Sequence, residues 1–105
     1  MPADLLDGVK VLDLGSGISA PWCSKILADY GAEVIKVEPP GIGDASRRMG
    51  PFAGNDPDAE KSLTFLYLNT NKKGVTLDPS TATGRKIFDR LLGNADVLVH
   101  NNPPA

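Results

Sequence analysis

The sequence lacks several features that mark whole classes of protein. It has one cysteine, which excludes an internal disulfide and favours a reducing, cytoplasmic setting. No apolar run approaches the roughly 20 residues of a membrane span, and we expect neither membrane insertion nor a signal peptide. An excess of one charge is also missing, because 11 Lys and Arg residues are interspersed with 13 Asp and Glu residues. This balance argues against nucleic-acid binding.

What is present is an alternation of strand and helix patterns. Strands are predicted at residues 9–14, 33–37, 75–77 and 96–99. Helices are predicted at about residues 20–30 and 81–92, with Pro21 in a first turn and Gly31 as a left-handed C-terminal cap. Residues 62–69 fit a short helix, with a strand as the alternative. Alternating strands and helices predict an α/β fold, in which helices flank a parallel sheet of about four strands.

The helical patterns also predict which faces are buried. In the first helix we expect an apolar stripe in the core, with Ser24, Lys25 and Asp29 on the opposite face. The stripe consists of Trp22, Cys23, Ile26, Leu27 and Tyr30. In the third helix the expected core residues are Ile87, Phe88, Leu91 and Leu92.

The last predicted strand, residues 97–99, reads as buried and is followed by a proline-rich ending. A parallel strand normally needs a helix beyond it to cover the sheet. We therefore expect residues 1–105 to be the N-terminal piece of a longer protein.

A glycine turn, Gly15-Ser16-Gly17, joins the first strand to the first helix. Backbone N–H groups and a positive helix end at the tip of a parallel sheet form a place where an anionic phosphate can sit. With Ala20 the glycines fit a relaxed dinucleotide fingerprint, in which Glu38 would bind a ribose or else pair within the following loop. The same residues also resemble the first motif of S-adenosylmethionine-dependent methyltransferases, but this chain lacks the third glycine of that motif.

Further motifs occur in a fixed order along almost the whole chain. They are Leu6-x-Gly8-x-x-Val11-Leu12-Asp13-Leu14, Ala20-Pro21-Trp22-Cys23, residues 27–40, Gly41-x-Gly43-Asp44-x-x-Arg47, residues 69–78, Gly84-Arg85 and residues 95–99. In this order and spacing, residues 6–102 closely resemble the N-terminal region of class III CoA-transferases, the formyl-CoA/carnitine CoA-transferase and 2-methylacyl-CoA racemase family.

The resemblance implies that residues 1–105 are a Rossmann-like, coenzyme A-binding region of a larger family III CoA-transferase fold. Members move CoA between an acyl-CoA and a carboxylic acid through a nucleophilic aspartate. That aspartate would lie beyond residue 105, so the resemblance implies no catalytic residue in this chain and no metal. Members form interlocked homodimers. A 2-methylacyl-CoA racemase remains an alternative within the family, and an S-adenosylmethionine- or NAD-binding domain an alternative outside it.

The resemblance also implies where CoA binds. The turn at Gly17-Ile18-Ser19 would approach the pantetheine and thioester end. The nucleotide end would be lined by Pro39, Leu77, Asp78, Pro79, Ser80, Asn101 and Asn102. These residues follow predicted strands, where open α/β sheets place their ligands.

Some of these positions depart from the family pattern. Pro39 and Ser80 stand where members often carry arginine and lysine, and Asn102 lies in a stretch, residues 100–104, that differs from the usual family motif. Having fewer cations would weaken phosphate binding or shift it to Arg47, Arg48, Lys72 or Lys73.

Overall fold

Four parallel strands form the centre of the molecule. The computed structural model describes residues 5–102. The strands are β1 (Lys10–Asp13), β2 (Glu33–Glu38), β3 (Lys73–Thr76) and β4 (Val97–Val99). The helices are α1 (Ser19–Asp29), α2 (Leu63–Leu68) and α3 (Ala82–Gly93), and two short 3₁₀ helices (Ala45–Arg48 and Ala53–Asn55) lie between β2 and α2. Within residues 5–102, no helix is long and apolar enough to cross a membrane.

The strand order is β3-β2-β1-β4, and every pairing is parallel. Leu12 of β1 lies opposite Ile35 on one side and Leu98 on the other. After β3 the chain returns through α3 to the far edge of the sheet, so the strand order reverses between β1 and β4. Open α/β sheets bind ligands at such a reversal, outside the carboxyl ends of the strands. The predicted α/β fold is confirmed.

Local sequence signals explain where the helices begin and end. Pro21 lies in the first turn of α1, and Gly31, with φ of 105°, follows its end as predicted. The Ser62 hydroxyl caps α2 by accepting from the Phe65 N–H at 3.1 Å. The Thr81 hydroxyl caps α3 by accepting from the Gly84 N–H at 3.0 Å. Each hydroxyl satisfies one of the backbone donors that a helix start leaves free.

The two faces of the sheet carry separate apolar clusters. On one face, Val11 and Val34 pack with Ala28 and Ala32 from α1 and the turn that follows it. On the other face, Leu12, Val37 and Leu77 form the second cluster. Burial of these side chains provides the main driving force for folding.

The buried face of α1 differs from the predicted stripe. Trp22, Ile26 and Tyr30 are exposed, and Cys23 is exposed as well. Of the predicted stripe, only Leu27 packs against the core. Trp22 instead stacks on Tyr67 of α2, with ring centroids 6.0 Å apart.

Two residues of the predicted polar face of α1 are buried, and each has the polar partner that a buried polar group requires. Ser24 is fully buried, and its hydroxyl donates to Asp13 Oδ2 at 2.6 Å. Lys25 is also buried and pairs with Asp29 at 2.7 Å. The expectation that Ser24, Lys25 and Asp29 lie opposite the buried face of α1 is therefore wrong for Ser24 and Lys25.

The far edge of the sheet is also more open than predicted. In α3, Phe88 and Leu91 pack against the second cluster as expected, whereas Ile87 and Leu92 are exposed. In β4, Val97 and Leu98 are exposed too, because this edge strand has a neighbour on one side only. The prediction of a buried last strand is wrong for these two residues.

Candidate functional site

The carboxyl ends of the strands are joined by side chains that hold the glycine turn of residues 15–17. Asp13, at the end of β1, accepts the Gly15 N–H through Oδ1 at 2.9 Å. The first amide of the turn is thus fixed from within its own strand.

Asn101, just after β4, holds the middle of the turn. Its Oδ1 accepts the Ser16 N–H at 3.0 Å, and its Nδ2 donates to the Ser16 carbonyl at 2.8 Å. The same Nδ2 also donates to the Ser19 hydroxyl at 2.9 Å. Of the residues predicted for the nucleotide end, Asn101 therefore lies against the turn itself.

Asp44, in the loop after β2, holds the last amide of the turn. Its Oδ1 accepts the Gly17 N–H at 3.1 Å. All three turn amides, those of Gly15, Ser16 and Gly17, therefore donate to side chains of this chain. These three N–H groups are therefore already taken by two carboxylates and one amide oxygen, and a phosphate at the start of α1 stays a prediction.

The turn needs its glycines for two different reasons. A Cβ at residue 15 would overlap the Cβ of Ala20 and lie 3.2 Å from Asn101 Oδ1. Gly17 has open space around it but a φ of 82°, which disfavours any other residue. The close approach of strand end and helix start therefore depends on Gly15.

Beneath the turn lies a buried ionic cluster that sequence reasoning missed. Lys36 Nζ is 2.6 Å from Asp44 Oδ2 and 3.8 Å from Asp13 Oδ2. Lys72 Nζ is 3.0 Å from Asp13 Oδ2. Two carboxylates thus face two ammonium groups, which is the compensation that buried charges require. The sequence feature that could have indicated this cluster is the lysine inside the apolar strand at residues 34–37.

The pKa values of Asp44 and Lys72 are shifted within this cluster. Burial acts to raise the pKa of Asp44, but hydrogen bonds from Lys36 and Ser46 outweigh it, and the net pKa is lowered. For Lys72, burial lowers the pKa against the opposing attraction of Asp13. Asp44 therefore stays ionised, which lets it accept hydrogen bonds from the turn.

Glu38, the last residue of β2, is held by Arg47. Arg47 donates through Nε to Glu38 Oε2 at 2.7 Å and through Nη2 to Oε1 at 2.8 Å. The hydrogen bond from Arg47 is the main reason that the pKa of Glu38 is lowered. Of the two alternatives for Glu38, pairing within the loop is the one found here.

A small slot lies at the carboxyl ends of β2 and β3. It has a volume of about 210 Å³ and is lined mainly by apolar side chains. Its lining consists of Leu14, Val37, Pro39, Leu77, Asp78, Pro79 and Asn102. The structure therefore brings together five of the residues predicted for the nucleotide end. Ser80 is not in the lining but donates its hydroxyl to Asp78 Oδ1 at 2.6 Å.

An apolar groove of about 370 Å³ lies at the other end of the turn. Ile18, which is exposed, lines it together with Leu63, Tyr67 and Pro51. The turn thus runs from Leu14 in the wall of the slot to Ile18 in the wall of the groove.

Two of the four cations proposed for phosphates are already paired within the chain. Arg47 is bound to Glu38, and the side chain of Lys72 is only 2 % exposed beside Asp13. Phosphate binding by these two side chains stays a prediction. Arg48 and Lys73 are exposed, and Arg48 donates to the Ile42 carbonyl at 3.0 Å.

Comparison with known proteins relates this geometry to one family. Residues 6–105 match the profile described as CoA-transferase family III. Formyl-CoA:oxalate CoA-transferases of Escherichia coli and Shigella boydii are 41% identical over 99 residues, which is 94% of this chain and 23% of theirs. The chain thus spans about a quarter of the length of these relatives.

Solved structures show the same fold at similar identity. A crystallised mutant of Rv3272 from Mycobacterium tuberculosis is 39% identical with a TM-score of 0.81, and the match covers 99% of this chain and 27% of that one. A CAIB/BAIF family protein from Brucella suis is 40% identical with a TM-score of 0.82, over 93% of this chain and 26% of that one. The chain described here belongs to CoA-transferase family III.

Proposed function

We propose that this chain is the coenzyme A-binding part of an enzyme that moves CoA between an acyl-CoA and a carboxylic acid. The observation that carries the proposal is the slot at the strand ends, which lies beside the glycine turn in a chain of this family. An open α/β sheet offers its ligand site at this place on geometric grounds.

The slot suits the nucleotide end of CoA. Leu14, Val37 and Leu77 supply apolar walls for a flat base, and Asp78 and Asn102 supply polar atoms at the rim. Sites of this kind combine mostly apolar walls with a few polar groups that fix the orientation of the ligand.

From the slot, the pantetheine arm would follow the turn toward Ile18. There the apolar groove would receive the acyl end of the thioester. Because the turn amides already have partners, the arm would contact the outer side of the turn and not its N–H groups. Ser19, whose hydroxyl accepts from Asn101, lies at the same end.

The reacting group would be an aspartate outside residues 1–105. Its carboxylate would attack the thioester carbonyl and release CoA thiolate, leaving an acyl-aspartyl anhydride. The thiolate would then attack the aspartyl carbonyl, which gives an aspartyl-CoA thioester and frees the first acid. The acceptor carboxylate would repeat these steps in reverse order, so that one difficult transfer becomes several easier ones.

The transferase is favoured over the racemase because the curated relatives matched are named CoA-transferases. The family assignment likewise supports CoA over S-adenosylmethionine and NAD. The proposal includes an interlocked homodimer, a cytoplasmic setting and no resident metal.

Calorimetric titration of the polypeptide encoded by the complete open reading frame tests the proposal. We expect heat of binding with CoA and none with S-adenosylmethionine or NAD. An Asn102→Trp variant should fill the slot and weaken CoA binding by at least about tenfold. Asn94→Trp, at the end of α3 near the amino ends of the strands, is the matched control and should leave affinity unchanged. Absence of CoA binding by the unaltered protein would refute the proposal.

A further inference from the structure

We propose that the Lys36–Asp44 ion pair positions the glycine turn for the thioester end of CoA, so that Asp44 is a positioning residue for acyl transfer. This inference rests on the proposed function, because it assigns the turn to the thioester end.

The ion pair holds the turn at both ends. Lys36 Nζ donates to the Gly15 carbonyl at 3.3 Å, while Asp44 Oδ1 accepts the Gly17 N–H at 3.1 Å. The two charged groups are themselves 2.6 Å apart. One ion pair therefore spans the first and last residues of the turn.

The arrangement is rigid because it is buried and its partners are charged. The side chains of Lys36 and Asp44 are 2% and 1% exposed. Ser46 adds two donors to Asp44 Oδ1, its N–H at 2.7 Å and its hydroxyl at 2.6 Å. Hydrogen bonds to ionised groups are about twice as strong as neutral ones, so they fix the carboxylate in one orientation.

The position of Asp44 in the chain makes this a link between two strand ends. Asp44 follows β2 and its N–H donates to Glu38 Oε2 at 2.7 Å, whereas Gly17 follows β1. The next residue repeats the link, because the Ala45 N–H donates to the Ser16 hydroxyl at 3.1 Å. The turn is thereby set relative to the slot, which is lined by Val37 of β2 and by residues that follow β2 and β3.

Neither Lys36 nor Asp44 lines the slot. Losing the ion pair should therefore displace the thioester end of CoA while the nucleotide end binds as before. A residue that acted only on overall stability would weaken both ends together.

The test compares the two ends in the polypeptide of the complete open reading frame. Asp44→Asn keeps the size of the side chain and removes its charge. We expect kcat for CoA transfer from an acyl-CoA to fall about ten- to a hundredfold, since a small misplacement of a reacting group has effects of that order. The dissociation constant for adenosine 3′,5′-bisphosphate, which carries only the nucleotide end, should stay within about twofold.

Asp56→Asn is the matched control. Asp56 lies in the same loop and forms an ion pair with Lys61, but its side chain is 53% exposed and does not contact the turn. This variant should keep both the kcat and the affinity for the bisphosphate.

If Asp44→Asn does not fold, Ser46→Ala decides the question. It removes one donor to Asp44 and leaves the ion pair in place, so kcat should fall by about two- to tenfold, the size of one hydrogen bond, with bisphosphate binding unchanged.

An unchanged kcat in a folded Asp44→Asn variant would overturn the inference, and so would an equal loss of kcat and bisphosphate affinity. Failure of the unaltered protein to bind CoA would instead overturn the proposed function.

Discussion

Replacing Gly15 by alanine tests whether the turn depends on close contact with α1. The added methyl group would overlap the Cβ of Ala20 and approach Asn101 Oδ1 to 3.2 Å and Ala20 Cα to 3.3 Å. Ordinary contacts between carbon atoms are about 3.5–4.0 Å, so either the turn or the start of α1 has to move.

The expected loss of stability in Gly15→Ala follows from the contacts that change when the turn moves. Overfilling a packed site costs about 1–3 kcal/mol. Moving the turn also disturbs the two hydrogen bonds between Ser16 and Asn101, each of which contributes about 1 kcal/mol. We therefore expect Gly15→Ala to lower the free energy of unfolding by about 3 kcal/mol.

Two further glycine-to-alanine variants separate steric overlap from backbone strain. Gly17 has a φ of 82° and open space, so Gly17→Ala should cost about 1–2 kcal/mol through strain alone. Gly74, in β3, has neither a positive φ nor a neighbour within 4 Å of the added methyl group. Gly74→Ala should therefore be neutral or stabilising by about 0.5 kcal/mol.

The assay is urea unfolding of the 105-residue chain, followed by the fluorescence of Trp22, its single tryptophan. The double variant Gly15→Ala/Ala20→Gly removes the overlapping methyl group from α1 and should recover most of the loss beyond the cost of a helical glycine, about 1 kcal/mol. Equal effects of Gly15→Ala and Gly74→Ala, or no recovery in the double variant, would refute the reasoning.

Other predictions concern the loop after β2. Arg47→Lys should lose the two-point contact with Glu38 and speed hydrogen exchange in residues 39–61, with a loss of stability of about 1–2 kcal/mol; unchanged exchange would contradict this. The pKa of Glu38 lies below its ordinary 4.5, mainly through Arg47, and that of Asp44 lies below 3.8, where hydrogen bonds from Lys36 and Ser46 outweigh burial. Their contribution to stability is therefore complete above these ordinary values and is lost as the pH falls through the lowered ones. Thermal unfolding between about pH 6 and pH 3 should show this decline, and Glu38→Gln should make it shallower.

The sheet could be predicted from the sequence because its signals are local. Apolar runs such as residues 33–37 mark buried strands, and the structure places β2 at Glu33–Glu38. Gly31 and Pro21 fixed the ends of α1 in the same way. The strand order could not be read from the strands themselves, because it depends on which edge each crossover reaches.

The inward face of α1 could not be predicted because it is decided by distant partners. Ser24 is buried because its hydroxyl reaches Asp13, and Trp22 lies outside because Tyr67 of α2 provides a surface for it. Hydrophobic periodicity assumes that polar residues face water, and that assumption fails where a polar residue has a buried partner.

The region of the candidate site was predictable, but the partners of the turn were not. Parallel strands bring their carboxyl ends to one edge, which is why Pro39, Leu77 and Asn102 meet in one slot. The hydrogen bonds that join Lys36 to Gly15, Asp44 to Gly17 and Lys72 to Asp13 span 21 to 59 positions, and no local sequence pattern indicates them. The residue types did indicate a buried ion pair, since a lysine within an apolar strand requires a counter-charge.

The pairing of Asn101 with Ser16 has a consequence for biosynthesis. The two residues are 85 positions apart, so the side chain that fastens the middle of the turn is synthesised long after the turn itself. During translation, β1, α1 and β2 can associate first, because neighbouring segments meet at a lower entropic cost than distant ones. A ribosome-bound nascent chain that has not yet exposed Asn101 should therefore leave the Ser16 amide open to rapid deuteration, and its protection should appear only when β4 docks.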